Sequence, residues 1–142
     1  MLSETEVREI SRRLKSDSGF QQAFDSDPLA ALQGAGFAGA AEELSQGMAM
    51  LRRLGQRLES EDSLSAQAQA DPVRTLLGEG VPAPLLEPIL RTTHAPEAVL
   101  AQVSEVEAHG LLPGKAQLFA LLASSSYFLA FASEAFATGR MG

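Results

Sequence analysis

The longest regular pattern in this sequence is a stripe of apolar residues between Ala40 and Ser60, and its spacing is that of an α-helix. Residues three and four apart lie on one face of a helix, so the stripe predicts one long amphipathic helix. Its members are Leu44, Met48, Leu51, Leu54 and Leu58. Shorter windows share this spacing, and no window shows the apolar and polar alternation of a half-buried strand. The sequence therefore predicts an all-α fold, a bundle of short helices.

Capping residues mark where the first helices begin and end. The stretch 3–6 has Ser and Glu three residues apart, a capping-box pattern that predicts a helix start near residue 4. That helix should stop at residues 17–19. Asp27 and Pro28 suit the cap and the first position of a second short helix, and the glycines within 34–36 should end it.

Prolines and polar runs shape the rest of the chain. The three prolines within 82–88 restrict that element to a short or kinked helix. Pro96 opens a further helix that His109 and Gly110 close, and the Pro-Gly pair at 113–114 predicts a turn. The polar segment 59–70, ESEDSLSAQAQA, is the best candidate for a flexible joint.

A shift of 44 residues, the distance from Asp27 to Asp71, aligns the start of the chain with its middle. The matched positions are caps, helix-opening prolines, core leucines and helix-ending glycines, as expected of a duplicated helical unit. The alternative is that these residue types are simply common in short helices. The further matches are Arg8 with Arg52, Arg13 with Arg57, Leu14 with Leu58, Ser16 with Ser60, Pro28 with Pro72, Leu32 with Leu76, Gly34 with Gly78 and Gly36 with Gly80.

This alignment suggests three parts. Residues 1–48 form a first helical unit with the Asp-Pro motif, which we call the first unit. Residues 49–92 form a diverged second copy, the second unit, and residues 93–142 form a C-terminal helical pair with an apolar last helix. A single compact domain is the alternative.

Composition excludes several functional classes. The 142 residues include no cysteine, which removes disulfides, thiol nucleophiles and thiolate metal sites. A net charge of −7 disfavours binding to nucleic acid, because phosphate backbones are also negative. The acidic, polar N-terminus does not match a secretory signal, so a cytoplasmic location is expected.

Catalytic patterns are sparse. The two histidines, His94 and His109, lack the carboxylate or second-histidine spacing of zinc hydrolases. The serines at 124–126 lack a nucleophile-elbow context, and the acidic clusters suit solvated helix faces. We therefore expect neither catalytic activity, nor a bound metal, nor a cofactor.

The segment from Ala116 to Ser133 contains no charged residue and has apolar side chains on more than one helix face. Such a helix is typical of a buried core. Its length would admit a membrane span, but the serines make that costly, so membrane insertion is not expected. A surface for a partner or for self-association is the other alternative.

The stretch GFQQAFDSDPLAALQGAGFAGAAEELSQGMAMLRRL, which lies within residues 8–54, has a recognisable order of motifs: an aromatic residue, Asp-Pro, an alanine-rich helix, Gly-Phe and an acidic helix. It resembles a helical module of the small subunit of protocatechuate 4,5-dioxygenase-like enzymes. It is also similar to leader regions of ribosomally made modified peptides, including borosin precursors. In these families the module has no chemistry of its own and is held against an enzyme.

The resemblance implies two sets of functional residues. The partner-binding candidates belong to the first unit, and the apolar ones among them would serve equally well as core residues: Phe20, Phe24, Asp27, Pro28, Leu32, Phe37, Leu44 and Met48. Borosin precursors carry an apolar core near the C-terminus, where a methyltransferase modifies backbone amides. The equivalent candidates here are Ser126, Tyr127, Phe128, Leu129, Ala130 and Phe131. Helical character of this segment counts against modification, because a substrate strand must be extended.

Three functions follow as hypotheses. The leading one is a non-catalytic recognition module that docks on a protein partner, such as a modifying enzyme that takes the chain as a precursor or leader-bearing substrate. The alternative is a structural protein whose repeats and apolar terminal helix bury one another in a homo-oligomer. A further alternative is an accessory small subunit of a ring-cleaving dioxygenase.

Overall fold

The structure, a computed structural model, describes residues 3–93, 95–107 and 113–136. This part of the chain contains α-helices, one short 3₁₀ turn at Ala83–Leu85 and no strand, so the all-α prediction is confirmed. The helices are α1 (Glu4–Ser16), α2 (Ser18–Ser26), α3 (Pro28–Gly34), α4 (Ala38–Ser60), α5 (Asp62–Ala70), α6 (Pro72–Gly78), α7 (Leu86–Thr92), α8 (Glu97–Glu107), α9 (Pro113–Ala123) and α10 (Ser126–Ala135).

Side-chain caps start α1 and α3 as predicted, and a third cap starts α2, a helix that the sequence patterns did not predict. The Ser3 hydroxyl accepts a hydrogen bond from the Glu6 N–H at 3.1 Å and starts α1. Asp17 ends α1 and caps α2, and Asp27 caps α3 by accepting from the Ala30 N–H at 3.1 Å. These caps satisfy N–H groups that the first helical turn leaves unpaired.

The prediction of a flexible joint at residues 59–70 was wrong. Residues 59 and 60 belong to α4, and α5 occupies most of the remainder. The buried residues of α5 are Leu64, Ser65 and Ala68. Leu64 and Ala68 are four residues apart and so share a face, and their burial against neighbouring helices holds a segment whose other side chains are polar.

The uncharged C-terminal segment is not one helix. It breaks at Ser124 and Ser125, and α9 and α10 meet at an angle of 84°. The Ser125 hydroxyl donates to the Leu122 carbonyl and accepts from the Phe128 N–H, so it closes one helix and caps the next. Serine side chains compete in this way with the helical backbone pattern. The predicted turn at 113–114 is instead the start of α9.

Within the described portion, no single helix is long and apolar enough to cross a membrane. The segments Lys115–Ala123 and Ser126–Ala135 reach that length and composition only when taken together across their bend.

The buried side chains of the three parts of the chain form one continuous core. Helix α4 runs through both units, with Leu44 in the first and Leu54 and Leu58 in the second all buried. Helix α9 packs on α1 and on the 3₁₀ turn, while α10 packs on α2, α4 and α7. The close approach of α10 to α4 occurs at Gly55, where an added Cβ would lie 2.1 Å from the Ala135 carbonyl oxygen.

The 44-residue offset recurs in the helix boundaries. Adding it to the bounds of α2 and α3 gives those of α5 and α6. Each pair ends in a glycine with positive φ, 87° at Gly36 and 94° at Gly80. Only glycine adopts this left-handed conformation at little cost. The common origin of the two units stays a prediction.

Candidate docking groove

Most of the predicted partner-binding residues lie in the core of the first unit. Phe20, Phe24, Leu32, Leu44 and Met48 are buried, as is Pro28, and Phe37 is half-buried. The ring centroid of Phe20 lies 6.2 Å from that of Phe24 and 6.3 Å from that of Phe37. Aromatic pairs at such distances contribute about 0.5–1.5 kcal/mol beyond their buried area. This cluster therefore joins α2 to the start of α4.

A groove with a volume of about 590 Å³ runs between α1, α2 and α3. Two of the predicted residues, Phe20 and Asp27, contribute to its lining. The remainder of the lining is small side chains and one ion pair. Its other members are Arg13, Asp17, Gly19, Ala23, Ala30, Ala31, Gly34 and Ala35.

The charged wall of the groove is an ordered ion pair. Arg13 Nη2 lies 3.2 Å from Asp17 Oδ2, and the Arg13 guanidinium carbon lies 4.7 Å from the centre of the Phe20 ring. Asp17 Oδ1 also accepts from the Phe20 N–H at 3.1 Å. That backbone hydrogen bond, followed by the one from Arg13, holds the pKa of the Asp17 carboxyl below its ordinary value. Arg13 is thereby fixed above an aromatic face.

The second unit carries polar residues where this groove has small ones. At the 44-residue offset the groove residues Gly19, Ala23, Ala30, Ala31 and Ala35 correspond to Ser63, Gln67, Arg74, Thr75 and Glu79. Arg57, the counterpart of Arg13, pairs with Glu61 at 2.9 Å and also with Glu79. In the second unit the ion pair between Arg57 and Glu79 therefore fills the position that Ala35 leaves open in the first unit.

The predicted modification segment forms the first two turns of α10. Phe128 and Phe131 are buried, whereas Leu129 is 47% exposed, a large value for an apolar residue among those described. The Ser126 N–H donates to Asp25 Oδ1 at 2.9 Å, which ties the start of α10 to α2. In this conformation the segment is helical, so its backbone amides would have to leave the helix before an enzyme could modify them.

The contact between Asp25 and Ser126 predicts a pH-dependent contribution to stability. The Ser126 backbone and side chain lower the pKa of Asp25 by donating hydrogen bonds to its carboxylate. The stabilisation is therefore present above the unfolded-state pKa of about 3.9 and is lost as the pH falls through the folded-state value. We expect Asp25→Ala to lower the unfolding temperature at pH 6, and this effect should diminish as the pH is lowered towards 2.5. An equal effect at both pH values would contradict this role for the charged carboxylate.

The sequence also drew attention to the two histidines, the serines at 124–126 and the acidic clusters. Both histidines, His94 and His109, lie outside the described residues. Among those that are described, no group of three or more His, Cys, Asp or Glu side chains is placed to hold a metal ion. Ser124 donates to the Leu121 carbonyl, and Glu43 pairs with Lys115 at 3.0 Å.

Two features of the first unit are absent from the sequence-based candidates. The first is the alanine and glycine lining of the groove. The second is Glu6, whose Oε2 accepts from the Ala40 N–H at 2.6 Å and so caps α4, where Phe37 supplies no side-chain cap. The sequence contained a signal for this lining, because small residues of the first unit align with polar residues of the second unit at the 44-residue offset.

Comparison with known proteins found no relative. The chain matches no protein-family model, and searches of curated proteins and of solved structures returned no match.

Proposed function

We propose that this protein is a non-catalytic helical recognition module that docks on a partner enzyme through the groove of its first unit. The observation that carries the proposal is the contrast between the units: Ala35 leaves the groove open where Glu79 pairs with Arg57. Small side chains let a partner segment approach the helices closely, and the edge of the buried Phe20 ring contributes to the floor between them. An amphipathic helix laid in an apolar groove is a recurring mode of peptide recognition.

A narrower form of the proposal makes this chain a precursor whose partner modifies it. The first unit would then hold the chain on a modifying enzyme, and the segment from Ser126 to Phe131 would supply the substrate amides. This requires α10 to detach, since Phe128 and Phe131 are buried and the Ser126 N–H is bonded to Asp25. The resemblance to leader regions is what favours this form.

The experiment that tests the proposal is affinity purification of the full chain from its native cell, with intact-mass analysis of the chain and identification of its companions. A modifying enzyme together with mass increments confined to residues 126–142 would support the precursor form. A large metal-bearing subunit would indicate the dioxygenase alternative. Recovery of the chain bound only to copies of itself would replace the proposal with the oligomerising alternative.

A double substitution decides whether the groove is the docking surface. Ala31→Thr with Ala35→Glu places the residues of the second unit in the groove, and both positions are only partly buried. We expect recovery of the partner to fall at least about tenfold, because the added carboxylate would pair with Arg13 across the groove. The unfolding temperature should stay close to that of the native chain.

The matched control is Ala101→Glu, which adds the same charge to an exposed position on α8. Partner recovery should be unchanged by this control. If both variants retain the partner equally well, the groove is not the surface through which the chain docks.

A further inference from the structure

The two equivalent arginines differ in the number of carboxylates that they bind. Arg57 donates from Nε to Glu61 Oε2 at 2.9 Å and pairs through Nη1 with Glu79. Arg13 pairs with Asp17, the counterpart of Glu61, at 3.2 Å, and makes no second ion pair within 4 Å among the described residues. A guanidinium carries five N–H donors in a planar fork and is suited to bind two acceptors. The first unit therefore leaves donors of Arg13 available.

The second unit indicates where a second carboxylate would lie beside Arg13. Glu79 follows the last residue of α6, and Ala35 follows the last residue of α3 at the same point of the unit. Ala35 lines the groove together with Arg13. A carboxylate placed above Ala35 would therefore meet Arg13 as Glu79 meets Arg57.

The surroundings of Arg13 favour such a contact. Its side chain is 32% exposed, against 47% for Arg57, and its guanidinium lies on the Phe20 ring. Partial removal from water strengthens a charge-assisted hydrogen bond. The negative groups nearby are already engaged. Asp17 accepts from Phe20 and Arg13, and Glu9, which also feels the charge of Arg13, is paired with Arg12. Asp27 caps the opposite end of α3, about 12 Å from Ala35 by helical rise.

We propose that Arg13 recognises a carboxylate side chain of the docking partner, held above Ala35 where the second unit has Glu79. This inference rests on the proposed function and specifies the chemistry of the partner. The occupant is a peptide segment of another protein that presents one Asp or Glu to Arg13. Its neighbouring small or apolar side chains pack on Ala23, Ala31 and Phe20.

A peptide display library tests this inference and does not require the partner enzyme itself. Random 12-residue peptides are selected on the full native chain and counter-selected on the Ala35→Glu variant, whose own carboxylate should occupy Arg13. We expect the recovered peptides to be enriched in Asp or Glu at one position. Changing that residue to Gln or Asn in a synthetic peptide should weaken binding at least about tenfold, and Arg13→Gln in the protein should do the same.

Charge reversal gives a second test that does not depend on a loss of binding. Selection on the Arg13→Glu variant should replace the acidic position by Lys or Arg. Unfolding temperatures of all variants establish that they are folded, and the Ala35→Glu result remains available if Arg13 variants do not fold. Peptides that bind the groove without an enriched acidic residue would overturn the carboxylate inference and leave groove docking intact. If no peptide discriminates the native chain from the Ala35→Glu variant, groove docking fails as well.

Discussion

Replacing Phe128 with alanine is expected to lower the free energy of unfolding by about 3–5 kcal/mol, the usual cost of deleting a buried phenylalanine side chain. Phe128 has 0% exposure, and its ring centroid lies 6.0 Å from that of Phe131. It sits on α10, which packs against α2, α4 and α7, so the cavity would lie where four helices meet. Urea unfolding followed by circular dichroism measures the change.

The adjacent residue is a matched control for this prediction. Leu129 belongs to the same helical turn but is 47% exposed. Its replacement by alanine should change the free energy of unfolding by no more than about 0.5 kcal/mol. Equal losses for Phe128→Ala and Leu129→Ala would show that α10 is not held in the core by the face described here.

Gly55→Ala is expected to destabilise the protein by about 2–3 kcal/mol, the upper part of the range for forcing extra atoms into a packed site. The new Cβ would lie 2.1 Å from the Ala135 carbonyl oxygen. Because that oxygen belongs to the backbone, it can move only if the end of α10 moves with it. Thermal unfolding measures the loss, and faster amide exchange in α10 would locate it.

Two other glycines serve as controls for the contact at Gly55. Gly34 has nothing within 4 Å of an added Cβ, so Gly34→Ala should be neutral or stabilising by up to about 1 kcal/mol. Gly47 is intermediate, since its added Cβ would lie 2.8 Å from a Phe119 ring atom, and a side chain can shift more easily than backbone. A Gly55→Ala variant as stable as Gly34→Ala would contradict the close crossing of α4 and α10.

Local signals in the sequence predicted much of the fold. The N-caps at Ser3, Asp27 and Asp71 depend on residues only a few positions apart, and each cap is formed. The long stripe on α4 was predicted because its period directly reflects which face is buried. The wrong predictions came from segments whose structure depends on distant neighbours. Helix α5 has a mostly polar sequence, and tertiary burial of Leu64 and Ala68 overrides that signal.

The groove between α1, α2 and α3 was harder to predict than the fold. Sequence reasoning selected the large apolar residues of the first unit, and these are the residues that burial removes from the surface. The groove is formed by residues without distinctive chemistry, and only their arrangement beside Arg13 makes them noticeable. The alignment of Ala35 with Glu79 is visible in the sequence. Its relevance to the groove depends on the contact between Arg57 and Glu79, which are 22 residues apart in the chain.

The cap that Glu6 provides to α4 has no counterpart in the second unit. At the 44-residue offset, Glu6 corresponds to Met50, and Ala40, whose N–H the carboxylate accepts, corresponds to Pro84. Proline has no N–H, so the second unit has neither the donor nor the acceptor of this hydrogen bond. In the first unit, replacing Glu6 alone by methionine would leave the buried Ala40 amide without a partner. Replacing Ala40 alone by proline would leave the Glu6 carboxylate without its donor. The units are therefore not interchangeable piece by piece, and a chimera that exchanges them would have to move both positions together.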